Sequence, residues 1–331
     1  MQFGIFDHLD YRNETPAQSY SDRITLIRAA EQAGFRRYHL AEHHGTPLGM
    51  APSPGIFLAA LARETKHIRL GPMVYCLPLY VPLRLLEEIC MLDQLSGGRI
   101  EIGVGRGASP IESAFYGVTR EESVPRYVEV MEILRAGLAS DRLSFRGTFY
   151  RYDDVPLPLR PVQPQIPFWS AALTPEARAH AAAGGMHLMV LGASERVKEA
   201  AAHYRAIWRA GDGRDPLIGA YRMVFVADND TAAEARARPA FDLWFSHLAK
   251  LWREHNETTP FLSIESYDRA RDCGMLIAGS PGRVRDELAA QVEACGYNYA
   301  VLQLAFGSLG HAAEMRSLAL FAERVMPDFP G

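Results

Sequence analysis

Strand-like and helix-like segments alternate along the whole chain, and that order constrains the fold more than any other feature of the sequence. Phe3–Phe6, Arg37–Ala41, Ile68–Val74, Arg99–Val104, Phe168–Ala171, His187–Leu191, Ile218–Ala227 and Tyr299–Leu304 are short apolar runs of strand type. Between them, apolar residues recur at helical spacing. Ser19–Ala33 sets Ile24, Ile27, Ala30 and Ala33 on one face before Gly34 stops it. Further helices are predicted over Pro54–Thr65, Pro82–Leu95, Ser123–Leu138, Thr174–Ala183, Ser194–Ala210, Thr231–Trp252 and Pro281–Ala294, with a last one ending before Pro327. Two stretches rich in irregular sequence, Asp141–Gln165 and Arg253–Ser280, interrupt the rhythm.

Parallel strands need crossover connections, so strands separated by helices assemble into a parallel sheet covered by helices. Eight such strands, with no linker-like break in composition, predict an α/β fold in one domain spanning 1–331: a (β/α)8 TIM barrel whose two interruptions are rim insertions. The same alternation also suits an open, doubly wound sheet.

With 48% hydrophobic and 22% charged residues among 331, the chain has the apolar mass for a large core. A formal net charge of -4 gives no attraction for nucleic acid or for an anionic membrane. The amino-terminal MQFGIFDHLDY reaches Asp7 and His8 after few apolar residues and lacks a basic stretch, so it reads as neither signal peptide nor anchor, and a cytoplasmic location is expected. Cys76, Cys90, Cys273 and Cys295 show neither metal-site nor disulfide-framework spacing and read as reduced thiols.

In a barrel, the residues that leave the carboxyl ends of the strands form the catalytic face. Glu42-His43-His44 leaves the second predicted strand there, and an imidazole titrating near neutrality can accept a proton. The same histidines could instead satisfy buried carbonyls, or join His39 and Glu42 as metal ligands, although no zinc-type spacing is present. Gly103-Val-Gly105-Arg106-Gly107 leaves the fourth strand; its glycines allow close approach to the backbone and Arg106 can fork onto phosphate oxygens, while a plain tight turn needs the same small residues. Thr174-Pro175-Glu176 starts a helix with a hydroxyl cap, either as a simple cap or as a phosphate site. Gly71–Pro78 forms an apolar wall at the same rim, and Asp7, His8 and Tyr75 are candidate substrate-lining residues.

The stretches FGIF at Phe3, AEQAGF at Ala30, AEHH at Ala41, LDQLSGGR ending at Arg99, GVGRG at Gly103, GSPGRV at Gly279 and RVMPDF at Arg324 together resemble the bacterial-luciferase family of flavin-dependent oxidoreductases over nearly the whole chain. The resemblance implies a homodimeric barrel that binds reduced flavin mononucleotide (FMN), accepts it from a separate flavin reductase, and uses O2 to oxygenate a small-molecule substrate. It assigns the catalytic histidine to His43 with Glu42 and His44 beside it, and the flavin phosphate to Arg106 and the amides of Leu173 and Thr174. It also implies a non-prolyl cis peptide joining Met73 to Val74 under the flavin ring. Gly105 stands where the luciferase α subunit has a reactive cysteine, so light emission is not implied. Three other readings stay open: hydride transfer from a deazaflavin on the same fold, flavin binding without chemistry, and a metal-dependent hydrolase.

Overall fold

Every pairing in the main sheet is parallel, because a helix or a long excursion returns the chain to the same end of the sheet after each strand. The computed structural model describes residues 1–209 and 215–330. Its first half runs β1 (Gln2–Asp7), α1 (Pro16–Gln32), β2 (Arg37–Leu40), α2 (Pro54–Glu64), β3 (Arg69–Pro72), β4 (Tyr75–Cys76), α3 (Pro82–Ser96), β5 (Ile102–Gly105), α4 (Pro110–Phe115) and α5 (Arg120–Ala139). An antiparallel hairpin follows, β6 (Arg142–Arg146) with β7 (Arg151–Pro156). The second half continues with β8 (Phe168–Ser170), α6 (Pro175–Ala183), β9 (His187–Val190), α7 (Ser194–Ile207), β10 (Ile218–Val226), α8 (Asp230–Leu248) and α9 (Lys250–Glu254). It ends with α10 (Tyr267–Asp272), β11 (Leu276–Gly279), α11 (Pro281–Cys295), β12 (Tyr299–Gln303) and α12 (His311–Arg324).

The sheet has ten strands in the order β3-β2-β1-β12-β10-β9-β8-β5-β4, with β11 on β10. β3 and β4 are two parts of one stave, interrupted at Met73–Val74, whose peptide is cis. Leu70 pairs with Ile100 beside the β4–β5 ladder, so the two ends of the order meet and the sheet closes into a barrel. The expected eight strands are joined by β11, which takes over beside the carboxyl half of β10 where β9 stops. This strand falls inside the stretch Arg253–Ser280 that reads as irregular. The helix expected over Thr231–Trp252 is two helices meeting at Ala249, and the hairpin occupies the first interruption. The expected end of the sixth helix, Ala210, lies outside the described residues. No helix among the described residues is long and apolar enough to cross a membrane.

Successive side chains of a strand point to opposite faces, and here that alternation separates two apolar layers. Phe3, Ile5, Tyr38, Leu40, Ala300 and Leu302 pack outward against the helices. Phe6, Ala41, Met73, Tyr221, Met223 and Val301 fill the inside together with α8 residues such as Phe241 and Trp244. At the amino-terminal ends of the strands the inside is sealed by a buried ion cluster. Arg37 Nε donates to Glu101 at 2.9 and 3.1 Å, Arg69 pairs with the other side of the same carboxylate, and Trp169 Nε1 donates to it at 2.5 Å. Burial works against the Glu101 charge, but Arg37 and Arg69 outweigh it and hold the carboxyl below its usual range.

Glu101→Ala strands two guanidinium groups in this floor, and we expect a loss of about 3–5 kcal/mol of stability in urea unfolding. Because the native carboxyl titrates below its unfolded value, the ion cluster's contribution is present above the unfolded pKa and is lost as pH falls through the native one. A flat dependence of unfolding free energy on Glu101 across that window contradicts this account.

Candidate active site

The pleat that turns His39 and Ala41 into the barrel also turns His43 inward as the chain leaves β2. Its Nδ1 lies 3.2 Å from Glu112 Oε1, and the other oxygen of Glu112 accepts the backbone N–H of His44 at 2.7 Å. Glu112 sits in the first turn of α4, where Ser109 Oγ caps the helix by accepting from Glu112 N at 3.2 Å. This glutamate does not turn back onto its own cap; it reaches across to the β2 exit. Burial disfavours a charged His43, yet the charge and hydrogen bond of Glu112, with help from Glu42, raise its pKa above the usual histidine value. With Nδ1 turned to the carboxylate, Nε2 has no partner among the described residues. His43 and Glu112 line a narrow cleft whose other walls include Leu48, Leu251 and Trp252.

Glu42 and His44 point the other way and anchor the loop. Glu42 Oε2 accepts Cys76 N at 3.1 Å and Tyr80 Oη at 2.8 Å, and Oε1 lies 2.9 Å from His44 Nε2. Tyr116 Oη lies 2.8 Å from His44 Nδ1, and the acceptor-only Glu42 carboxylate requires a hydrogen on the Nε2 that faces it. Of the three residues assigned to catalysis, the structure brings His43 to the cleft and uses the other two to hold it there.

The structure corrects two expected substrate-lining residues, one through strand alternation and one through the interruption of the third stave at Met73–Val74. Phe6 and His8 face inward, so Asp7 faces out, where its carboxylate accepts Leu9 N at 2.8 Å and Tyr38 Oη at 2.9 Å and pairs with Arg23 at 2.7 Å. Tyr75 likewise points into the helix layer, its hydroxyl donating to Glu88 at 2.9 Å. His8 does reach the site, with its ring 5.6 Å from that of His43.

The remaining positions gather at adjacent strand exits. β5 and β8 pair in register up to Val104 with Ser170, so Gly105-Arg106-Gly107 and Leu173-Thr174 leave neighbouring staves at the same rim. Arg106 is exposed and makes no hydrogen bond or ion pair among the described residues. Leu173 is exposed, and Thr174 caps α6 by accepting Ala177 N at 3.2 Å. A Cβ on Gly105 would lie 2.5 Å from Val74 Cγ2, and Gly107 has φ of +87°, a conformation that favours glycine. Met73 is buried and Val74 half-buried beside them. A free guanidinium at the same rim as a helix amino terminus suits an anionic ligand end, and Gly105 packs directly on Val74 of the cis segment; the charged groups fit a flavin phosphate. Glu112 was not singled out from the sequence, although Ser109-Pro-Ile-Glu112 is a recognisable helix-start pattern. Among the described residues, no group of three or more His, Cys, Asp or Glu side chains is arranged to hold a metal ion.

A family model described as luciferase-like monooxygenase matches residues 1–299. The chain is 39% identical to the uncharacterized protein y4wF of Sinorhizobium fredii over 313 residues, covering 93% of this chain and 92% of that one. It is 28% identical to the oxygenase component of flavin-dependent trigonelline monooxygenase of Acinetobacter baylyi, over 99% of this chain and 96% of the relative. Among solved structures, monooxygenase RslO1 of Streptomyces bottropensis superposes with a TM-score of 0.90 at 25% identity, with full coverage of both chains. The oxygenating constituent of 3,6-diketocamphane monooxygenase from Pseudomonas putida, in complex with FMN, superposes with a TM-score of 0.85 at 20% identity, covering 100% of this chain and 99% of that one.

Glu42→Ala leaves His44 Nε2, Cys76 N and Tyr80 Oη without their acceptor, and we expect it to cost about 3 kcal/mol in urea unfolding. Glu42→Gln keeps an acceptor oxygen and should lose less. Equal losses for the two variants would show that the network does not anchor the loop.

Proposed function

The chain belongs to the luciferase-like monooxygenase family, and from that premise we propose that it takes reduced FMN from a separate flavin reductase and uses O2 to oxygenate a small organic substrate. The observation that carries this reading is His43, with Nδ1 held by Glu112 and Nε2 left for a reactant in the cleft. Support for the cofactor comes from the 3,6-diketocamphane enzyme, whose structure contains FMN. Support for a separate reductase comes from the trigonelline enzyme, whose relative here is named as an oxygenase component.

When bound, reduced flavin supplies the electrons that activate dioxygen. Arg106 and the exposed start of α6 at Leu173 and Thr174 would hold its phosphate, and Met73, Val74, Gly105 and Gly107 would pack against its ring. His43 takes or returns a proton at Nε2, and the Glu112 carboxylate fixes the hydrogen at Nδ1. Leu48, Leu251 and Trp252 keep water from that proton transfer. The protein is also read as a homodimer: Ile56 on α2, Met91 and Leu95 on α3 and Val81 before it are exposed apolar residues, and α2 packs on α3.

Anaerobic titration tests the cofactor. Reduced FMN should bind saturably, and Arg106→Ala should weaken it about ten-fold or more while leaving riboflavin, which lacks the phosphate, unchanged. Tight binding of a deazaflavin with none of FMN overturns the reading. For the proton step, Glu112→Gln removes the charge that raises the His43 pKa, so the acid limb of the kcat/KM profile should move to lower pH. An unmoved limb removes His43 from that role.

A further inference from the structure

We propose that the groove between α4 and the turn following α9 is the passage by which substrate reaches His43, and that the Arg120–Glu257 ion pair is its latch. The inference deepens the oxygenase reading of the site and rests on it for the identity of what passes as substrate. It starts from a mismatch of sizes. The cleft beside His43 has room for about one water molecule, whereas an organic substrate needs many times that space. A wall of the cleft must therefore move.

The wall with the least to hold it is the roof, where Leu251 and Trp252 of α9 meet Phe261. α9 is a five-residue helix set off from α8 at Ala249. Leu251 and Trp252 pack with Ile111 of α4 and with Phe261 in a small apolar cluster separate from both layers of the barrel. Beyond α9 the backbone N–H groups of His255, Asn256 and Glu257 donate to Leu251, Arg253 and Trp252, so the turn is closed on itself, with Asn256 at a left-handed φ of +53°. Among the described residues, two contacts tie this turn to the α4–α5 side. One terminal nitrogen of Arg120 donates to both oxygens of Glu257, at 2.9 and 2.7 Å, and the Phe115 ring lies 6.4 Å from that of His255. Both partners of the ion pair are exposed, and such a pair is weak and screened by salt.

An open groove runs along this seam, far roomier than the cleft, with Ile111, Ala114 and Phe115 on one side and His255 and Glu257 on the other. Ile111 belongs to both spaces: it lines the groove and packs on Leu251 and Trp252, which line the cleft. Groove and cleft are thus one side chain apart. Parting Glu257 from Arg120 frees the turn to swing off α4 and joins the two, and closure restores the dry surroundings of His43.

Carbethoxylation of His43 by diethyl pyrocarbonate, mapped by peptide mass spectrometry, reads the passage without flavin or substrate, and exposed His67 serves as the internal standard. Glu257→Gln should speed His43 labelling about three-fold and leave His67 unchanged. With the native pair the His43 rate should rise as NaCl is added, and in Glu257→Gln that rise should be absent. Ala114→Trp, at an exposed position in the groove, should slow His43 labelling several-fold. A His43 rate unmoved by either substitution, or a salt effect that survives Glu257→Gln, overturns the proposal. The full labelling pattern in a protein that oxygenates nothing with reduced FMN would keep the passage while removing the oxygenase reading.

Discussion

The pleat of the parallel strands is the constraint on which the rest of the structure depends. Residues two apart share a face, so Gly4, Phe6 and His8 of the first stave, His39, Ala41 and His43 of the second, and Tyr299, Val301 and Gln303 of the last all point to the interior. The odd-numbered partners of the first stave, Phe3, Ile5 and Asp7, face the helices. A slip of one residue in β2 would exchange His43 for Glu42 and turn the site inside out. Parallel ladders on both sides of β1 and β12 hold that register.

Given that placement, carboxylates do the orienting. Glu101, Glu42 and Glu112 each use both oxygens, and each joins elements distant in sequence: the floor of β2, β3 and β8, the loop after β2 to the β4 stave, and α4 to the same loop. A carboxylate without such donors would be costly in these surroundings, so each one holds its partners in place. Around His43 the result is a strong asymmetry, since its neighbour in sequence, His44, is turned to Glu42 and Tyr116, whereas His43 faces a second carboxylate whose charge raises its pKa against burial.

Much of this was legible in the sequence, and the exceptions have physical causes. The eight expected strands announced themselves because apolar runs punctuated by glycine and proline, with helical periods between them, leave few alternatives. β11, as long as β2, β5 and β9, did not, because it closes a long irregular and largely polar stretch. At the site, His43 and Arg106 could be picked out by residue type and by their place after strands. Asp7 and Tyr75 were misjudged as lining residues. Asp7 falls outside by parity with Phe6, whereas Tyr75 shares the parity of inward-facing Met73 and turns outward because the stave is interrupted between them, which no count along the sequence shows. Glu112 escaped because its partners are some seventy positions away, at a separation no local pattern encodes.

The ion-paired floor built by Arg37, Glu101, Arg69 and Trp169 bears on traffic through the molecule. A plugged base leaves the barrel with one mouth, so everything that enters by the rim must also leave by it. Incoming and outgoing molecules compete for a single doorway, and turnover becomes a matter of queueing: whatever sits nearest the opening decides when the deeper occupant can be exchanged.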